Sequence, residues 1–341
     1  MVPVTYRRRM SLLDSLSAAF AARPDAAAVP AASIMAVVDQ AEVTATWGVP
    51  EGTLFQAASI SKPVAALAAL QLVASGRLTL DTDINDYLVS WHLPGDAWMP
   101  PVTVRHLLCH SAALTVSGMP GYEPGQALPS LTEILDGRPP ANTAAVRRAG
   151  VPGGEHCYSG GGYVVLQQLL EDVSSRPFAD LAAELVFSPA RMTTASYAEP
   201  EHATAAAAHV DGHEVSWHVY PEQATAGLWC TPADLVRFAQ TIQASVAGEA
   251  PALLPPALAQ EMVTPQVDGW GLGAAAVGRR RTSAVQPRRS QPWLSVRANR
   301  RRVRQERRGG NDRRRPGRSC DGRPARGAPR RHLVAGSANR P

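Results

Sequence analysis

The segment Ser59–Gly76 (SISKPVAALAALQLVASG) constrains the fold more than any other stretch, because it is apolar at helical spacing. Val64, Leu67, Ala68, Leu70, Gln71 and Leu72 follow the helical period and Gly76 supplies a stop, so a helix is expected from Ser59 to Ser75. Its first turn holds Lys62, the one lysine among 341 residues; every other positive side chain is arginine. Arginine would carry the charge equally well but cannot release a proton near neutral pH. A lysine kept against such a bias points to proton chemistry. Ser59 stands three residues earlier, on the same helix face, so the two side chains are expected to be neighbours. Desolvation lowers the pKa of a lysine enough for it to help a serine lose its proton. A helix starting near Ser59 would also bring free N–H groups and a positive dipole end to an oxyanion, and Pro63 is tolerated in a first turn.

Around this segment the chain reads as strand, helix and strand. Ser11–Arg23 resembles a short amphipathic helix. Ala32–Asp39 and Glu42–Gly48 suggest an opening hairpin. Arg105–His110 reads as a short helix, Gly118–Pro140 as a Pro/Gly-rich irregular stretch, and Gly161–Ser174 as a second long helix followed by Phe178–Val186. A third helix is expected over Thr231–Ser245, with Thr231 as cap and Pro232 at the first helical position. The fold class expected is α/β (an α+β sandwich), an antiparallel sheet flanked by helices plus a mostly helical lobe.

The second chemical element is Tyr158-Ser159-Gly160, just ahead of the helix at Gly161. A tyrosine beside a lysine cation can act as general base for the serine or pass its proton to a leaving group. A buried structural tyrosine at a helix start is the plainer alternative.

Together these residues resemble the serine β-lactamase, penicillin-binding-protein and esterase superfamily, in its class C-like branch. The similarity runs from about Ser33 to Gly273. It includes TLFQAASISK (Thr53–Lys62) and VTVRHLLCHSAAL (Val102–Leu114), which is similar to the family's I-T-I-R-H-L-L-T-H-T-S-G-L. Pro152–Ser174 resembles P-G-x-x-x-x-Y-S-N-x-G-Y-x-L-L-G, and TAGLWCTPADLVRF (Thr225–Phe238) and GWGLG (Gly269–Gly273) also match. The resemblance implies an acyl-enzyme mechanism on small esters or amides, with Ser59 as nucleophile and Lys62 and Tyr158 as proton-transfer partners. It implies no metal and no cofactor. Two departures stand out. The family has asparagine where this chain has Gly160, a side chain that helps hold the lysine and a substrate amide. Its K-T-G or H-x-G motif is missing after Gly273, and with it one oxyanion N–H, a loss of roughly 10²–10³ in rate by analogy.

The charge is split. Residues 279–341 carry 21 arginines against Glu306, Asp312 and Asp321, whereas 1–278 carry 13 positive and 26 negative side chains. The hydrolase domain is therefore drawn over 1–278, with 279–341 as a basic, disordered tail in place of the family's last strands. A nucleic-acid-binding arm is one expectation for it. The other is a shifted reading frame. Codons exist for Ala284–Ser295 (AVQPRRSQPWLS) that read R-F-S-H-G-G-R-N-P-G-Y-R one base later, similar to the missing H-G-G motif. The second is preferred, because the tail begins where strands of the family should run, and nucleic acid is set aside as a partner.

Three functional classes follow: the hydrolase, a catalytically inactive relative serving as a binding protein, and the arginine-tailed nucleic-acid binder. His213–His218 (HEVSWH) has one residue too many for a zinc H-E-x-x-H, so no metal is assigned. Gly160–Gly162 lacks the Lys-Ser/Thr of a phosphate loop. His106 and His110 stand four apart on an expected helix and could pair; the resemblance implies that they are structural, near the floor of the site. Cys109, Cys157, Cys230 and Cys320 have no paired spacing and are expected as reduced thiols. No apolar run reaches membrane length and the N-terminal helix has no apolar signal core, so a cytoplasmic protein without a membrane partner is expected. Sequence leaves the oligomeric state and the particular substrate open.

Overall fold

The computed structural model describes residues 4–22, 29–38, 41–95, 98–210 and 213–275. The boundary drawn at 278, the basic arm, the shifted frame and the replaced strands all lie outside the described residues.

Helix α1 (Val4–Ala21) starts seven residues before the expected Ser11. Nothing between Val4 and Ala22 is glycine or proline, so helix propensity carries the arginine run into the helix. Strands β1 (Ala32–Val38) and β2 (Ala41–Trp47) form the expected hairpin, antiparallel in a register running from Ala32↔Trp47 to Val38↔Ala41. Helix α1 packs on β2, where Phe20 stacks on Trp47 with ring centres 4.1 Å apart.

Strand β3 (Phe55–Gln56) leads through a 3₁₀ turn, Ala58–Ile60, into α2 (Ser61–Ala74). Every residue of α2 from Ser61 to Leu70 is buried, and Leu72 with them. A helix apolar on all sides has to be enclosed by others, and this one is. Gly76, at φ +73, ends it just beyond the cap residue Ser75. Next come α3 (Val104–Leu108), α4 (Leu131–Asp136), α5 (Gly160–Ser174) and α6 (Phe178–Ala182), the last running on into a π turn, Ala183–Phe187. Helix α4 interrupts a stretch expected to be irregular. Its signals were present in SLTEILDG: Ser130 and Glu133 form a capping box and Gly137 closes the helix at φ +65.

The chain then forms β4 (Ala208–Val210), β5 (His213–Val215), α7 (Gln223–Ala226), β6 (Trp229–Cys230), α8 (Pro232–Ala247) and α9 (Pro256–Val263). The described strands pair two by two, all antiparallel: β1 with β2, β3 with β6, and β4 with β5. Helix α8 packs across β1, so the hairpin contacts both α1 and α8. Its start is as expected, with Pro232 in the first turn and a capping box between Thr231 and the fully buried Asp234.

The core is centred on α2, with α5, α6 and α7 packed around it. Leu67 is 1% exposed, so Leu67→Ala should lower stability by about 2–5 kcal/mol, read by urea denaturation. A loss below about 1 kcal/mol would mean that α2 is not the packing centre. Ahead of α7, Glu222 is fully buried and neither carboxylate oxygen has a hydrogen-bond partner. Burial pushes its pKa from 4.5 up to about 7. A folded-state pKa above the unfolded one gives stability that is full below about pH 4.5 and is lost as pH rises through about 7. Glu222→Gln should therefore gain stability relative to the parent as pH rises through that window, at up to about 1.4 kcal/mol per pH unit. A difference that stays constant from about pH 5 to about pH 8 would show that Glu222 ionises normally in the fold.

Candidate active site

Ser59 sits in the middle of the 3₁₀ turn that joins β3 to α2. That turn is held in an unusual shape. Ala58 has φ +46, a left-handed conformation that costs a residue with a Cβ on the order of 1 kcal/mol. Three contacts fix it there. Ala57 N–H donates to Leu228 O at 2.8 Å, Ser61 Oγ donates to Ala58 O at 2.6 Å, and Leu228 N–H donates to Ser61 Oγ at 3.0 Å. The pairing of β3 with β6 thereby sets the direction of the Ser59 side chain.

Lys62 follows within the first turn of α2 and is only 3% exposed. Its Nζ lies 3.2 Å from Ser59 Oγ and donates to Thr225 O at 2.9 Å. It also stands over the rings of Tyr158 and Tyr163, 5.1 and 5.6 Å from their centres. Among the described residues no carboxylate pairs with it. Burial alone, without a compensating acid, lowers its pKa from 10.5 to about 7.

Tyr158 comes from the segment before α5, and its hydroxyl donates to Ser59 Oγ at 3.0 Å. Burial raises its pKa, with the Ser59 hydrogen bond offsetting part of the rise. The next residue caps the helix: Ser159 Oγ accepts from Gly162 N–H at 2.9 Å and donates to Thr115 O at 2.9 Å. The three residues singled out from sequence, Ser59, Lys62 and Tyr158, thus meet at one oxygen atom although Tyr158 is 99 residues from Ser59.

Gly160 has no side chain to offer the lysine. A Cβ there would lie 3.3 Å from Ser117 O and 3.4 Å from Thr225 Cγ2, a tight fit. The lysine's second acceptor is instead the Thr225 carbonyl, held by α7, while Thr225 Oγ1 donates to Gly160 O at 3.2 Å. Sequence reasoning missed this contact, since a backbone acceptor leaves no residue-type signal.

His106 and His110 do not pair across a helix. Helix α3 ends at Leu108, His106 Nδ1 accepts from Thr103 N–H at 3.2 Å, and His110 lies beyond the end at φ +58. His110 does reach the floor of the site: its ring is 4.3 Å from that of Tyr158 and its Nδ1 accepts from Ser159 N–H at 3.3 Å. Burial first, then the Lys62 charge, holds it well below the usual histidine range, so it is a neutral ring. Trp270, from the Gly269–Gly273 match, packs edge-on against His110 at 5.2 Å. Gly273 donates to Leu108 O at 3.0 Å, and a Cβ on it would fall 2.3 Å from Ala66 Cβ.

Cys109 and Cys230 are free and buried, as expected, whereas Cys157 is disulfide-bonded. Sequence spacing gave no hint of that, because pairing partners need meet only in the folded chain. In the HEVSWH stretch, His213–Val215 is an exposed strand and His218 Nδ1 lies 2.6 Å from Pro120 O. Among the described residues no three His, Cys, Asp or Glu side chains gather as a metal site. Nor is any described helix long and apolar enough to cross a membrane.

Known proteins share this arrangement of elements. Esterase EstB of Burkholderia gladioli is 45% identical over 65 residues, 19% of this chain and 17% of the esterase. The octameric penicillin-binding protein homologue from Pyrococcus abyssi superposes with a TM-score of 0.60 at 22% identity, covering 78% of this chain and 64% of that one. EstCE1, a hydrolase with promiscuous acyltransferase activity, superposes at 0.59 with 20% identity, covering 80% of this chain and 83% of its own. At such identities the two superpositions speak for the fold alone. The chain spans less than two thirds of the length of the esterase and of the Pyrococcus protein. A profile of the Beta-lactamase family matches residues 16–293, most of the sequence, and the chain belongs to that family.

Proposed function

We propose that the chain is a serine hydrolase that forms an acyl-enzyme on Ser59 and acts on small esters or amides. The observation that carries this is the convergence on Ser59 Oγ of a buried amine with a pKa of about 7 and a neutral phenol, at 3.2 and 3.0 Å. Near neutral pH Lys62 is then available as a free amine with a lone pair. With one N–H on Thr225 O, that lone pair can face Ser59 and receive its proton. Ser59 Oγ then bonds to the substrate carbonyl carbon, and the carbonyl electron pair moves to oxygen.

Tyr158 takes the complementary part. Its raised pKa keeps it protonated, which suits a donor better than a base. It would pass a proton to the departing alkoxide or amine as the carbonyl re-forms, and be reprotonated through Ser59's former proton on Lys62. Water then attacks the acyl ester, giving its proton to Lys62, and the acid leaves as Ser59 regains a hydrogen. Esters are the better-matched substrates, since an amide nitrogen must be protonated before it can leave. Esterase EstB, 45% identical over 65 residues, points the same way.

Labelling by a fluorophosphonate probe tests the nucleophile: the parent should label and Ser59→Ala should not. Folded parent protein that never labels would favour the inactive relative acting by binding alone. For the base, log kcat/KM on a chromogenic ester should rise with pH through about 7, as Lys62 loses its proton, and then stay level until the tyrosine ionises. Lys62→Arg should abolish the activity, and Tyr158→Phe should lower kcat by about 10²–10⁴. An unchanged profile in Lys62→Arg would remove the lysine from the mechanism.

A further inference from the structure

Behind β3 lies a second cavity, of about 110 Å³, to which Ser59, Lys62 and Tyr158 contribute nothing. Its walls include Tyr197, Trp217, Tyr220 and Trp229, with Gln56 and Glu199 among the polar lining. The two indoles meet at a right-angled contact, ring centres 5.2 Å apart at 74°, so they present a face and an edge rather than a flat stack. Trp217 is braced on its other side by His202, stacked at 4.2 Å.

One polar feature sets this space apart from a packing defect. Glu199 is exposed, and its Oε1 accepts from Trp217 Nε1 at 2.8 Å, which aims the carboxylate along the aromatic wall. Among the described residues no lysine or arginine pairs with it. Tyr197 is 8% exposed, yet its hydroxyl is buried and has no hydrogen-bond partner. Its ring packs against Phe178 and Phe187, with centres 5.1 and 5.6 Å away, and burial holds the phenol well above its ordinary pKa, so it is a neutral group behind the wall.

We propose that this cavity binds a small organic ammonium ion. The indoles of Trp217 and Trp229 and the phenol of Tyr220 line the space; electron-rich rings attract a cation, and cation–π contacts strengthen once water is excluded. The Glu199 carboxylate at the rim supplies the counter-charge, and the volume fits a head group of a few heavy atoms. A metal ion would need several oxygen ligands, and an anion would face the Glu199 charge. The site goes beyond the proposed hydrolysis, although Gln223 and Gly227, on either side of Thr225, contribute to its wall.

Calorimetric titration of the full chain with choline, and with its neutral isostere 3,3-dimethylbutan-1-ol, tests the assignment. Choline should bind saturably and at least about tenfold more tightly than the isostere. Glu199→Gln, a change at an exposed position that leaves the fold intact, should remove most of that preference. Trp217→Ala should abolish binding, and Ser59→Ala should leave it unchanged. Equal affinity for the two compounds, or a preference that survives Glu199→Gln, would reduce the cavity to an apolar hole. Absence of saturable choline binding would overturn the proposal outright, as would loss of choline binding in Ser59→Ala, which would place the ligand in the candidate active site.

Discussion

Burial of one amine without a neighbouring acid is the constraint to which the rest of the site conforms. Had a carboxylate stood beside Lys62, the pair would be charged at neutral pH and the amine unable to accept a proton. Instead the lysine is surrounded by two aromatic rings, a serine oxygen and a peptide carbonyl. These neutral groups satisfy its N–H donors while leaving its basicity lowered to about 7. The carbonyl has to come from a rigid place, and α7 provides one. Thr225 is tied to Gly160 O on one side and sits in a turn of helix whose first carbonyl belongs to the buried Glu222.

Neighbouring parts of the fold follow from holding Ser59 against that amine. The left-handed Ala58 is a local cost, offset by the bonds that Leu228 and Ser61 make around the turn and by the packing of α2. Small residues recur where elements approach closely. Gly273 leaves no room for a Cβ against Ala66, and Gly161 would set one 2.8 Å from Thr115 O. A core helix as rich in alanine as α2 allows such approaches, since its surface is nearly smooth.

Sequence made the centre of this structure legible and its periphery less so. The period of Val64–Leu72 and the lone lysine located α2 and its chemistry, because helical spacing fixes which side chains are neighbours within one element. Ser59 and Lys62 were expected to share a helix face for that reason, but α2 starts at Ser61, and Ser59 reaches Lys62 from the 3₁₀ turn that the β3–β6 pairing holds in place. Tyr158 needed the family resemblance, since spacing cannot say that a residue 99 positions away returns to the same atom. Thr225 O, the strand pair β3–β6 and the Cys157 disulfide left no local pattern. Helix α4 did leave one, the Ser130–Glu133 box, but its Pro/Gly-rich surroundings masked it. The helix expected over Arg105–His110 stops two residues early, at Leu108, so His106 and His110 share no helix face, although His110 lies at the floor of the site as expected.

Gly160 connects these points to the choice of substrate. Where the resemblance implies an amide side chain, this chain has Gly160, and Ser117 O and Thr225 Cγ2 come within 3.3 and 3.4 Å of where a Cβ would sit. The lysine loses one acceptor but keeps Thr225 O, so its position is preserved without that side chain. A bound substrate, in contrast, loses a hydrogen-bonding partner for the amide group that a peptide or β-lactam would present. The proposed proton donor for the leaving group is then Tyr158, a phenol whose pKa is raised and whose proton is correspondingly hard to remove. Alkoxides need that proton late and phenolates scarcely at all, whereas an amine must take it before the C–N bond breaks. On the proposed mechanism, a site with a strongly held proton and no amide-binding side chain would favour esters, and it would do so through the leaving group rather than through the acyl part.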